Sequence, residues 1–279
     1  MVQDPTSNES PSNESPSRTE PTEEPPRRVR LLVAYDGTPF AGFARNEGVR
    51  TVAGDLEAHL SKVLREPIVV TGAGRTDRGV HAWGQVVTFD TRSERLDLTR
   101  LRKSVNSVLG PHIVVREAAI VSSDFDARFS ARWRRYHYTI LRTETPNPFL
   151  AATTWHLSIP LDLDAMRAGA HHLVGQHDFS SFCRRPPSGP GGAARSLERT
   201  VLDVSWQELA EQRWRMEITA GAFCHQMVRA ITGTLVDVGR GRFAPDDVAS
   251  ILAARDRNAA GRLAPPEGLC LVEVGYDSW

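Results

Sequence analysis

Ile68-Val69-Val70-Thr71-Gly72-Ala73-Gly74-Arg75-Thr76-Asp77-Arg78-Gly79-Val80-His81-Ala82-Trp83-Gly84-Gln85-Val86-Val87-Thr88-Phe89-Asp90 reads as strand, loop, strand. Residues 68–71 and 84–90 are rich in β-branched and apolar side chains, and the segment between them holds three glycines, two arginines and one carboxylate. Glycines let the chain bend through conformations closed to other residues and admit a ligand close to the backbone. Arg75 and Arg78 can hold Asp77 ionised and attract a phosphate, which makes Asp77 the candidate catalytic carboxylate. The plainer alternative is a Gly-rich hairpin with an exposed ion pair. Two nucleotide-binding readings fail on spacing. A dinucleotide fingerprint starting at Gly72 would need its third glycine where Asp77 stands, and a P-loop would need Lys then Ser or Thr where Val80 and His81 stand.

Working outward from this hairpin, periodicity and breakers predict a β-α-β-β-α-β order that occurs twice. In the first half a strand over 29–35 precedes a helix over about 52–64, with Val52, Leu56, Leu60 and Val63 on one face. The two strands around Asp77 follow, then a helix marked by Leu98, Leu101, Val105 and Val108, and a strand over 113–120. In the second half a strand over 135–141 alternates Tyr136, Tyr138 and Ile140 with His137, Thr139 and Leu141. A helix near 163–174, strands over 201–208 and 214–220, a helix over about 225–238, a short helix opened by Pro245 and a strand over 269–276 complete it. Two such units make an α+β fold of two ferredoxin-like (split βαββαβ) halves, an extended antiparallel sheet with helices on one face. The other face is left free to meet a large ligand, as in RNA-recognition modules. The expected divisions are an acidic tail over 1–26, an N-terminal α+β subdomain over 27–125 carrying the Asp77 loop, and a C-terminal α+β subdomain over 126–279.

The 279 residues suffice for one large core or two smaller ones. The tail repeats Ser-Asn-Glu-Ser-Pro at 7–11 and 12–16 and has almost no apolar side chains, so it is expected to be disordered. It holds six carboxylates against Arg18 alone, so the zero formal charge of the whole chain hides an excess of five positive charges over 27–279. Of the basic residues there only Lys62 and Lys103 are lysines; arginine suits bidentate phosphate contacts and stacking on bases, although a GC-rich genome gives the same bias.

Cys183, Cys224 and Cys270 are odd in number and far apart, suggesting neither a disulfide framework nor a zinc site. Nine histidines include no His-Glu-x-x-His, so no catalytic metal is expected. With no apolar leader and no bilayer-spanning run, a cytoplasmic protein without membrane contact is expected.

Between the halves, Arg128, Arg132, Arg134 and Arg135 are interleaved with Phe129, Trp133, Tyr136 and Tyr138, a pattern that can grip phosphates and stack on unpaired bases. An ordinary strand with a core face and a solvated face would read the same way. The Pro/Gly-rich stretch over 184–192 reads as a flexible loop.

Gly74-Arg75-Thr76-Asp77-Arg78-Gly79-Val80-His81-Ala82, followed by Gly84-Gln85-Val86, resembles the signature of the TruA-type tRNA pseudouridine synthases. Tyr35-Asp36-Gly37-Thr38, Ala127-Arg128-Phe129-Ser130-Ala131 with Arg134-Arg135-Tyr136-His137-Tyr138, and His225-Gln226-Met227-Val228-Arg229 agree in order. So do Asp178-Phe179-Ser180-Ser181-Phe182 and Glu267-Gly268-Leu269, so that the likeness runs from about 28 to 276. The resemblance implies isomerisation of uridine to pseudouridine in the anticodon stem-loop of tRNA, without cofactor, by a homodimer. It implies that Asp77 is the catalytic aspartate, that Arg75 helps displace the target base, that Tyr136 packs on the uracil and that Arg229 is the basic partner of the aspartate. Gly42-Phe43-Ala44-Arg45-Asn46 departs from the Gly-Trp-Gln-Arg-Gln common in the family, so the polar contacts of those glutamines are missing.

Two rival readings remain at this level. A non-catalytic RNA-binding protein with a ferredoxin-like sheet accounts for the charge and the Arg/Tyr strand, but gains nothing from an anion facing phosphate. Another carboxylate-dependent glycosyl enzyme would be expected to show a second acid or a metal.

Overall fold

The computed structural model describes residues 25–184 and 196–277; the acidic tail up to residue 24 and the Pro/Gly-rich stretch from 185 onward lie outside the described residues. In chain order the first half consists of β1 (Arg27–Tyr35), α1 (Val52–Leu64), β2 (Thr71–Gly72), β3 (His81–Thr91), α2 (Leu98–Leu109) and β4 (Ile113–Val121). The second consists of β5 (Trp133–Leu141), β6 (Trp155–His156), α3 (Leu163–His171), β7 (Gly175–Asp178), β8 (Glu198–Glu208), β9 (Arg213–Ala220), α4 (Met227–Gly239), α5 (Asp247–Ala254) and β10 (Leu269–Gly275). The strands form one sheet in the order β4-β1-β3-β10-β5-β9-β8-β7, with β2 on β3 and β6 on β5. Strand order β4-β1-β3-β2 in the first half and β10-β5-β9-β8 in the second is the ferredoxin-like order twice over. A short parallel pairing of Cys270 and Leu271 with His81 and Ala82 joins the halves. Asp77 lies beside this seam.

Local sequence accounts for most element ends. Thr51 caps α1 by accepting the N–H of Gly54 at 3.2 Å, and the buried stripe is Val52, Leu56, Leu60 and Leu64. Leu64 thus takes the place expected of Val63, one residue further round the helix. In α2 the Asp97 side chain accepts the N–H of Arg100, and Leu101 and Val105 are buried while Val108 is exposed. Helix α4 starts two residues later than its pattern suggests, because Gln226 adopts a left-handed φ of 67° and turns the chain before Met227. Strand β7 pairs with β8 outside the doubled order; its four residues, three half-buried and Gln176 exposed, carry no apolar alternation to read.

The apolar faces are explicit in the register. Val29, Leu31 and Val33 of β1 are fully buried, as are Tyr138 and Ile140 of β5 and Met216 and Ile218 of β9. Directly opposed residues share a side of a sheet, so Tyr136 and Tyr138, paired with Ile218 and Met216, lie on the face that α4 covers through Thr232 against Met216. Among the described residues, no helix is long and apolar enough to cross a membrane.

Burial of the phenols has a measurable consequence. All four tyrosines, Tyr35, Tyr136, Tyr138 and Tyr276, are raised above the ordinary phenol range, burial being the largest cause in each. Below pH about 10 a phenol is neutral in both folded and unfolded chains; above it the unfolded chain loses protons that the folded one retains, so stability falls as pH rises. Tyrosinate absorbance is therefore expected to stay absent through the ordinary phenol range and then to appear in one step, together with loss of far-ultraviolet dichroism. Graded titration of a folded protein would contradict this.

Candidate active site

The loop after β2 is held at every turn by groups from other elements. Gln85 of β3, fully buried, donates from Nε2 to the carbonyl of Gly74 at 2.8 Å and accepts the N–H of Gly74 at 3.4 Å. Thr76 is buried, its hydroxyl 2.8 Å from the Tyr35 hydroxyl at the end of β1, and its carbonyl accepts the N–H of Phe43 at 3.1 Å. Val80 then donates to the carbonyl of Asp77 at 3.1 Å, closing a tight turn in which Gly79 has φ 78°, a conformation glycine adopts without strain. Gly37 lies so close below that a Cβ would come within 2.1 Å of the Val80 carbonyl. The segments around Tyr35, Gly37 and Gln85 that accompany the loop in sequence are thus its mechanical supports. Phe43, standing where tryptophan is common in the family resembled, is buried with its ring against Gly72.

Asp77 is partly buried, its side chain 24% exposed. Nη1 of Arg229, in the first turn of α4, donates to Oδ2 at 3.2 Å, and Nε2 of His225 lies 3.3 Å from Oδ1. Nε of Arg229 donates to the carbonyl of Ala264 at 2.8 Å, which fixes the guanidinium plane. The structure therefore brings Asp77 and Arg229 together and adds His225. Arg75 and Arg78 are exposed and pair with no acid among the described residues; they are not the groups that hold Asp77. Neighbours along a turned backbone project apart, whereas a side chain from another element can meet the carboxylate head-on. Two donor groups and an arginine make a poor metal site, since the guanidinium would repel the cation.

The position of His225 involves a bond the sequence did not suggest. Cys183 and Cys224 form a disulfide with a Cα–Cα separation of 5.8 Å, which corrects the expectation of unpaired cysteines. They lie 41 positions apart in sequence, so only the fold brings them together. Arg184 donates its N–H to the carbonyl of His225 at 3.0 Å.

Tyr136 is 8% exposed and stands edge-on to Phe223, ring centroids 5.1 Å apart, with its hydroxyl 3.8 Å from where a Cβ of Gly74 would be. Burial, and to a lesser extent the Asp77 charge, raises its phenol above the ordinary range, so it stays protonated at neutral pH. It offers a ring face and edge and no base. Arg134, on the same strand face, is committed to backbone and not to phosphate. Its Nη2 donates to the carbonyls of Ala73 at 2.9 Å and Arg128 at 2.8 Å, and its Nη1 to those of Gly221 at 2.8 Å and Ala131 at 3.2 Å. One guanidinium thus ties the Asp77 loop, the segment between the halves and the approach to His225. Arg134→Met would leave four carbonyls without their donor and is expected to lower the free energy of unfolding by about 3 kcal/mol, measured in urea. Arg134→Lys is expected to recover only part, because an ammonium cannot span the same four acceptors; full recovery would contradict the assignment.

The face opposite the helices is not the site. There Arg135 faces Glu217 at 3.5 Å and Glu273 at 3.2 Å, and His137 is 2.7 Å from Glu217, so charges of both signs are paired across β9, β5 and β10. The free face expected to meet a large ligand is self-neutralised, and Asp77, Tyr136 and Arg229 gather on the helix-bearing face instead. Tyr35, Gln85 and His225 carry no signal for the site in the sequence beyond their presence in the ordered motif segments, whereas Arg134, expected among the arginines that could grip phosphate, holds backbone carbonyls instead.

Comparison with known proteins shows the family to which the chain belongs. A family model described as tRNA pseudouridine synthase matches residues 31–130 and 170–277. The tRNA pseudouridine synthase A of Leifsonia xyli subsp. xyli (strain CTCB07) is 41% identical over 269 residues, covering 89% of this chain and 91% of that protein. Those of Brevibacillus brevis (strain 47) and Bacillus subtilis (strain 168) are 41% and 40% identical, each match covering 90% of this chain and all of the relative.

Proposed function

This chain belongs to the tRNA pseudouridine synthase family, isomerases that convert uridine in tRNA, and from that premise we propose that it acts on the anticodon stem-loop by flipping a uridine onto Asp77. The single observation that carries the site assignment is a carboxylate held between Arg229 and His225 on a rigid loop beside a buried, protonated tyrosine.

The reaction breaks the bond from ribose C1′ to N1 of uracil, turns the detached base while it is retained, and joins C1′ to C5, whose hydrogen leaves as a proton while N1 gains one. Asp77 acts on the sugar, either by adding to C1′ or by taking a proton from the ribose; both use the carboxylate oxygens, which Arg229 holds in place through a direct hydrogen bond to Oδ2. Unstacking a base costs a few kcal/mol, and packing on Tyr136 returns about 1–3 kcal/mol of it. Arg75, exposed two residues before Asp77, is the group we assign to displacing the target base. No cofactor is required, and we read the active species as a cytoplasmic homodimer.

Incubation of the protein with tRNA carrying tritium at uridine C5 tests this: release of tritium to water, with pseudouridine mapped to the anticodon arm, is expected. A non-catalytic binder would release none, and a hydrolase would release free uracil.

A further inference from the structure

Phe129 is 80% exposed, yet the turn that carries it is among the most constrained in the protein. Oδ1 of Asp126 accepts the N–H groups of both Arg128 and Phe129, at 2.7 and 2.8 Å. Ser130 donates its N–H to the Asp126 carbonyl at 3.0 Å, and its hydroxyl accepts the N–H of Asp126 at 3.0 Å. Ala127, fully buried, is anchored by the Tyr276 hydroxyl on its carbonyl at 2.7 Å. Through Arg134 the carbonyl of Arg128 is joined to that of Ala73, four residues before Asp77. Among the described residues, a phenyl ring so exposed on this mount packs into no core of its own chain. The Arg128 guanidinium lies 5.4 Å from its ring centroid, and Arg128, Arg75 and Arg78 are all exposed with no acidic partner among the described residues.

We propose that Phe129 and Arg128 form a second nucleotide subsite at the lip of the catalytic loop, where an unpaired base of the RNA, other than the uridine being isomerised, stacks on the phenyl ring while Arg128 meets its phosphate. The inference rests on the RNA-modifying reading above and extends it. An aromatic face recognises any base, and the unneutralised Arg128 beside it selects a polyanion over an apolar peptide or a second copy of this basic chain. Because the mount is tied to Ala73 through Arg134, a base held there would also fix how the neighbouring strand enters the Asp77 site.

The subsite is tested with the full chain and tRNA, and with anticodon-arm RNA carrying 2-aminopurine at each unpaired position in turn. Phe129→Ala is expected to raise the KM for tRNA about 10-fold with kcat nearly unchanged, Phe129→Trp to preserve KM, and Phe129→Leu to behave like alanine because it lacks a π-face. Arg128→Gln is expected to weaken binding and to reduce the salt dependence of log Kd by about one phosphate contact. One 2-aminopurine position is expected to be quenched by the wild type and not by Phe129→Ala. An unchanged KM in Phe129→Ala, or full retention in Phe129→Leu, overturns the stacking subsite. A change in light-scattering mass on substitution overturns it in favour of a contact between copies. Absence of pseudouridine with wild-type protein would fail the catalytic reading instead, while Phe129-dependent RNA binding would still be readable.

Discussion

Asp77→Asn is expected to fold, to bind tRNA as tightly as the wild type or slightly more so, and to lose turnover by at least about 10⁴-fold, the scale seen when a single indispensable catalytic group is removed. The amide keeps an oxygen that can accept from Nη1 of Arg229, and the turn closed by Val80 uses only the Asp77 backbone, so the loop has no reason to rearrange. Loss of one negative charge also removes repulsion toward phosphate. What disappears is the carboxylate able to act on the ribose. The measurement is single-turnover tritium release from C5-labelled tRNA, with filter binding on the same preparation and a melting curve as control. Appreciable release by a folded variant would remove Asp77 from its role, and loss of binding together with loss of fold would show it to be structural.

The second large effect is expected at Arg229. Arg229→Met removes the hydrogen bond to Asp77 and the one to Ala264 together, leaving the half-exposed His225 as the remaining polar neighbour of the carboxylate. The side chain of Arg229 is 13% exposed, so water replaces it poorly. A loss in kcat of about 10²-fold is expected, comparable to removing one preorganised donor from a reacting anion. A stability loss of about 2 kcal/mol should accompany it, below the usual figure for a buried pair because Asp77 still reaches solvent. Arg229→Lys keeps the charge but cannot serve both acceptors, and should fall between the two. The discriminating readout is the split between constants: kcat falls while KM for tRNA stays near the wild type if Arg229 acts through Asp77. A wild-type kcat in Arg229→Met would sink that account.

Much of the architecture was legible because its signals are local. The period-two alternation of Tyr136, Tyr138 and Ile140 marks β5, and the stripe of Val52, Leu56 and Leu60 marks α1. Where the reading slipped, a competing local effect was responsible. Gln226 in the left-handed region shortened the α4 pattern, and Val108 fits the helical spacing of α2 but falls on its solvent side. The catalytic loop was legible as chemistry, from glycines and an acid among arginines, but the arginines close to Asp77 in sequence are not the ones that touch it.

Composition and spacing thus sufficed for the doubled order of elements, the basic body and the placing of one acid in a glycine-bounded turn, since those properties depend on residues within a few positions of one another. The fold alone decided that Asp77 meets a guanidinium 152 positions away, that Arg134 ties four carbonyls and not a phosphate, that Cys183 meets Cys224, and that the site opens on the helix-bearing face. The reason is physical: Asp77 and Arg229 meet only once β3 and β10 join the half-sheets edge to edge, Cys183 and Cys224 meet only once the second half has folded, and no local periodicity encodes which side chains either event brings together.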